Sequence, residues 1–176
     1  SVCKELYSGY NHFMGKILIF GDSITYGKWD SEGGWVARLR KYIDTQYNIG
    51  KDGNFQVYNL GIPGEIVPRL SERFESELKY RIDLQDKNVV LIAIGINDSN
   101  PQNLMAGKQT PQKEFKESLI TMITVAQRLN AKVAAIGLTS VDESRMLGTK
   151  QFSNKVIKEY DDYVSEVCAS KEVPKL

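Results

Sequence analysis

The stretch "KILIFGDSITYG", Lys16 to Gly27, decides the fold. Its apolar run stops abruptly at Gly21-Asp22-Ser23, and Gly27 follows the serine by four residues. A short continuous apolar run bounded by glycine fits a strand buried on both faces, as in a parallel sheet. Ser23 then stands where a strand turns toward a helix, with its hydroxyl exposed and its own backbone N–H free. A nucleophile beside an oxyanion site needs that arrangement. A helix N-cap needs much the same, so the triplet alone does not separate chemistry from capping.

Working outward, strands alternate with helices along the chain. "GGWVARLRKYIDTQY" places Trp35, Val36, Leu39, Tyr42 and Ile43 at helical spacing. "NFQVYNLG" is a second strand, and Val67, Leu70, Phe74 and Leu78 mark a second helix. "NVVLIAIG" is the most apolar strand and is expected near the sheet centre. "TPQKEFKESLITMITVAQRL" is a long helix, with Thr110 expected at the N-cap and Pro111 at the first helical position. "KVAAIGL" is a fourth strand, "FSNKVIKEYDDYVSEVCAS" a helix capped by Ser153, and "VPKL" the opening of a fifth strand at which the sequence stops. This alternation predicts an α/β domain built on a central parallel sheet.

Composition narrows the function. A length of 176 residues suits one domain with a real core, and a formal net charge of +1 carries no electrostatic signature of nucleic acid or an acidic membrane surface. No segment has the run of ~18 apolar residues that spans a bilayer. Cys3 and Cys168 lie far apart, with no CxxC and no nearby histidine, which argues against a structural zinc site. Cys168 falls on a helical apolar stripe and is expected in the core. The segment before Met14 has no apolar signal region, so residues 1–13 are expected to be a leader or tag-like segment before a domain over 14–176. With no signal peptide seen, a cytoplasmic location is expected.

In an open α/β sheet, sites lie at the carboxyl ends of the strands. There the sequence offers "GDSITYG", "NLGIPGE" and "GINDSN" after the first three strands. One loop of glycine and small polar residues is weak evidence; three brought to one edge are much stronger. A P-loop is excluded, because Gly21 and Gly27 are one residue too far apart and Trp29 follows Lys28. No loop carries G-x-G-x-x-G. The G-x-S-x-G elbow is absent as well, since Ile24 and Thr25 follow Ser23.

"FGDSITYG", "NLGIPGE" and "GIND", in that order and each after a strand, resemble the first three sequence blocks of the SGNH, or GDSL-type, hydrolases. The resemblance runs from about Met14 to the end of the sequence. It implies a flavodoxin-like three-layer α/β/α domain whose fifth strand and final helix are incomplete. It implies a serine esterase or lipase acting on a small-molecule ester, with no metal or organic cofactor. By the same resemblance Ser23 is the nucleophile. Gly64 offers a backbone N–H to the oxyanion, Asn97 offers its side-chain amide, and the Ser23 N–H completes the hole. Asp22 and Asp98 are expected to shape their loops through bonds to backbone N–H groups.

The pattern departs from the family in one respect. The family takes its general base from a D-x-x-H motif after the fifth strand, and this sequence has none; its single histidine is His12. Three explanations follow: a truncated or incompletely represented enzyme, a domain that lost its catalytic pair and binds an acyl or acetylated ligand instead, or a His12 that folds back as a substitute. A nucleotide or flavin binder is the alternative that rests on fold class alone.

Overall fold

The computed structural model describes residues 15–50, 54–84, 86–102, 107–145 and 152–176. Four strands, β1 (Gly15–Gly21), β2 (Phe55–Gly61), β3 (Asn88–Ala93) and β4 (Lys132–Ala135), form one sheet. The order is β2-β1-β3-β4 and every pairing is parallel. Ile19 sits level with Asn59 on one side and Leu91 on the other, which fixes the two central registers. Strand β1 is therefore interior, and its Leu18, Ile19 and Phe20 are all fully buried. An apolar run without alternation is what burial on both faces requires.

Helices α1 (Ser23–Tyr26), α2 (Gly34–Asn48), α3 (Val67–Lys79), α4 (Gln112–Arg128) and α5 (Asn154–Ser170) connect these strands. The larger core lies on one face. Leu18 and Phe20 of β1 and Val90 and Ile92 of β3 pack there against α3, α4 and α5. The stripe Val67, Leu70, Phe74 and Leu78 is buried along its whole length, as its spacing predicts. Phe74 meets Phe20 with ring centroids 4.5 Å apart, and Phe115 meets Tyr160 edge-on at 5.1 Å. Cys168 is buried in the same core. Helix α2 lies across β2 and buries Val36.

Three local expectations are corrected. Tyr42 is 62% exposed, so it does not extend the buried stripe of α2. Helix α4 starts at Gln112 with Pro111 at the cap position, one residue later than the sequence pattern indicates. Thr110 does not cap it, because its hydroxyl is spent on Asp98 (2.7 Å). Ser153 does occupy the N-cap of α5, but its side chain makes no capping bond there. The opening of a fifth strand is present: Lys175 bridges Ala135 in parallel, and Leu176 N–H donates to the Ala135 carbonyl at 2.8 Å. Residues 1–13, expected from the sequence to be a leader or tag-like segment, lie outside the described residues, and His12 with them.

Candidate active site

The strand order places a topological switch point between β1 and β3, because the chain leaves β1 for β2 on one side and returns to β3 on the other. A crevice opens at the carboxyl ends of strands at such a point. Ser23 stands at the end of β1 and Asn97 just past the end of β3, while Gly64 lies in the loop after neighbouring β2. All three are half-buried.

Ser23 begins α1, a helix of four residues. One turn of helix has no stability of its own, so tertiary bonds must hold it. Asp22 is the N-cap, and its carboxylate accepts the Ile24 N–H at 2.9 Å. The capping role therefore belongs to Asp22, and the Ser23 side chain is left out of it. At the other end of α1, Asn59 Nδ2 donates to the carbonyls of Thr25 (2.9 Å) and Tyr26 (3.4 Å). Asn59 Oδ1 accepts the Gly61 N–H at 3.1 Å.

The loop after β2 is equally constrained. The Ile62 N–H donates to the Gly21 carbonyl at 2.9 Å, which ties the loop to the end of β1. The Glu65 N–H returns to the Ile62 carbonyl at 3.1 Å, closing a turn with Pro63 second and Gly64 third. Gly64 has φ +83°, the left-handed value that a type II turn demands at its third position. Glu65 is buried and makes a two-pronged ion pair with Arg73 of α3 (2.8 and 2.6 Å). The Arg73 guanidinium also donates to the Leu60 carbonyl at 2.8 Å.

The loop after β3 grips the other two. Asn97 Nδ2 donates to the Glu65 carbonyl at 3.0 Å, which sets its amide against the Gly64 turn. Asp98 is fully buried, and its two carboxylate oxygens accept the Val67 N–H at 3.1 and 3.2 Å. Helix α3 has Ile66 at its N-cap, which has no side-chain acceptor, so Asp98 caps it from 31 residues away. Thr110 is held from both sides, by its hydroxyl to Asp98 and by its carbonyl accepting from Tyr160 Oη. Asp22 and Asp98 thus bond to backbone N–H groups, as the sequence implies.

Burial dominates the electrostatics. It pushes the Asp98 carboxyl up to about 7, against the pull of the Thr110 hydroxyl and the Val67 N–H. It pushes Asp22 up to about 6, with the Ile24 N–H opposing and the nearby Glu65 charge adding to the rise. A cavity of about 240 Å³ opens beside the serine turn, lined by Ile24, Thr25, Trp35, Ile94, Ile136 and Leu138 among others. Among the described residues, no group of three or more His, Cys, Asp or Glu side chains could hold a metal ion, and no helix is long and apolar enough to cross a membrane.

Sequence reasoning missed Asn59, Glu65 and Arg73 as parts of this framework. Asn59 opens the "NLGIPGE" stretch, five residues before Gly64. A glutamate following a glycine turn and flanked by apolar residues was a signal for a buried charge, but its partner eight residues on was not legible.

The parallel four-stranded sheet flanked by helices is the α/β fold of SGNH-hydrolase structures. The chain belongs to the GDSL-like lipase/acylhydrolase family, whose model matches residues 19–176. Among solved structures, it is similar to the lipase/acylhydrolase from Enterococcus faecalis, at 28% identity and a TM-score of 0.69, over 92% of this chain and 75% of that one. The acetyl xylan esterase AlAXEase shares the fold with a TM-score of 0.71 at 21% identity, over 91% of this chain and 75% of that one. The isoamyl acetate-hydrolyzing esterase 1 homolog of Bos taurus is 28% identical over 123 residues, which is 70% of this chain and 46% of that protein. The Rattus norvegicus homolog is 27% identical over the same span. The chain thus spans just under half the length of the curated relatives it matches.

Proposed function

We propose that the chain carries the nucleophile and oxyanion hole of a serine ester hydrolase acting on acyl or acetyl esters of small molecules. The observation that supports this best is the junction of the three loops. Ser23 stands at the tip of interior β1, with its side chain relieved of capping by Asp22, and the Asn97 amide is set beside the Gly64 turn. In this reading Ser23 Oγ attacks the ester carbonyl carbon and its proton passes to a base. The carbonyl oxygen becomes an oxyanion facing the N–H groups of Ser23 and Gly64 and the Asn97 amide. Asn97 uses one amide hydrogen on Glu65, which orients the group and leaves the second for the oxyanion. Collapse expels the alcohol and leaves an acyl-enzyme, which water then hydrolyses.

Serine is a poor nucleophile without a base. The D-x-x-H pair that the family uses does not occur in this sequence. An oxyanion hole and binding alone leave about 10³–10⁴-fold over water. A domain that binds esters or acetylated sugars without turnover is the second reading. Hydrolysis of p-nitrophenyl acetate by this chain and its Ser23→Ala variant separates the two. Serine-dependent turnover above the residual level supports the hydrolase and calls for a base from His12 or another chain. Equal rates in both proteins sink hydrolysis by this chain and leave binding.

A further inference from the structure

We infer that Asn59 is a positioning residue, whose carboxamide clamps the serine-bearing helix against the Gly64 loop. This rests on the reading of Ser23 as nucleophile. Helix α1 ends with carbonyls that no helical N–H can reach, because the helix stops after four residues. The Asn59 amide takes the place of the missing next turn by donating to Thr25 and Tyr26, at 2.9 and 3.4 Å. Its oxygen accepts from Gly61, the last residue of β2, at 3.1 Å. One side chain therefore bridges the serine helix and the strand end that launches the Gly64 turn.

The space around Gly61 supports the same conclusion. A Cβ there would come within 2.5 Å of the Tyr26 nitrogen and 2.7 Å of the Asp22 carbonyl oxygen. The two backbones are in direct contact, and Asn59 latches them from two residues further in. The Ser23 N–H and the Gly64 N–H, the two backbone donors of the proposed oxyanion hole, sit on opposite sides of this latch. A displacement of about 1 Å at such a site costs on the order of 10²-fold in rate.

The variant that isolates the clamp is Asn59→Asp. It keeps the size of the side chain and the acceptor for Gly61, but turns an oxygen toward two carbonyls. Two readouts are taken on the full chain beside Ser23→Ala. The first is amide hydrogen exchange, which should show a tenfold or greater loss of protection at Tyr26, Gly27 and Lys28, with β3 unchanged. The second is ester turnover, whose Ser23-dependent kcat should fall by about 10²-fold with KM within about twofold. Unchanged protection at 26–28 overturns the clamp. Lost protection with unchanged kcat overturns its role in positioning the serine. A wild type no faster than Ser23→Ala defeats the hydrolase reading instead, and the exchange data still decide the clamp. If Asn59→Asp exposes β3 as well, Asn59→Ser, which retains one donor, should restore part of the protection at 26–28; failure to do so counts against the clamp.

Discussion

At φ +83°, Gly64 occupies a conformation that costs an L-residue roughly 1–2 kcal/mol. Gly64→Ala is therefore expected to lower stability by about that amount, measured by urea unfolding, and to move the N–H proposed to serve the oxyanion. Asn97 makes a sharper test of chemistry. In Asn97→Asp the side chain keeps its size but loses both donors, one of which holds the Glu65 carbonyl. Loss of one oxyanion donor typically costs about 10²–10³-fold in kcat, so Ser23-dependent ester turnover should fall by at least that factor. Turnover within a few-fold of wild type would remove Asn97 from the oxyanion hole.

Among the elements, α3 carries most of the mechanical link between core and site. Its buried stripe holds it to the sheet, Arg73 reaches from it to Glu65 and Leu60, and its first N–H is capped by Asp98. Phe74 is 1% exposed and packs on Phe20, two residues before Asp22. Phe74→Ala should cost about 3–5 kcal/mol by chemical denaturation. The cavity would lie beneath the end of β1, so reactivity at Ser23 should also decline. Helix α1 shows the opposite design, four residues with no intrinsic stability and a separate fastening at each end. Gly61→Ala would press a methyl group into its backbone, and overpacking of this kind typically costs about 1–3 kcal/mol.

At the scale of the whole molecule, the buried carboxyl groups of Asp22 and Asp98 lie at the carboxyl edge of the sheet, near the buried Glu65 that pairs with Arg73. Folding raises Asp98 from an ordinary 3.8 to about 7 and Asp22 from 3.8 to about 6. The native state thus holds more protons than the unfolded chain between these values. Stability from both groups is fully present below about 3.8 and is lost as pH rises through 6 and 7. Every tenfold gain in proton affinity on folding is worth about 1.4 kcal/mol. Urea midpoints should therefore fall between pH 5 and pH 8, and Asp98→Asn should flatten most of that slope. A variant that keeps the full wild-type slope would show that Asp98 titrates normally.

Much of the architecture was legible because its signals are local. The unbroken run at Ile17–Phe20 specified an interior parallel strand, the spacing of Val67, Leu70, Phe74 and Leu78 specified one face of a helix, and the glycine-rich strand ends marked the edge where the candidate site is proposed. What escaped was decided by long-range bonds. Thr110 has every local mark of a cap, yet Asp98 claims its hydroxyl and the helix starts later. Tyr42 fits a helical stripe, yet it is 62% exposed. The sequence by itself determined the order of strands and helices, the family motifs and the identity of Ser23, Gly64 and Asn97 as candidates. Only the tertiary structure decided which side chain caps the serine helix, which amide clamps it, and how Glu65, Arg73 and Asp98 stitch the three loops. Periodicity and turn chemistry are written into neighbouring residues, whereas a buried polar group finds its partner only after the chain has folded.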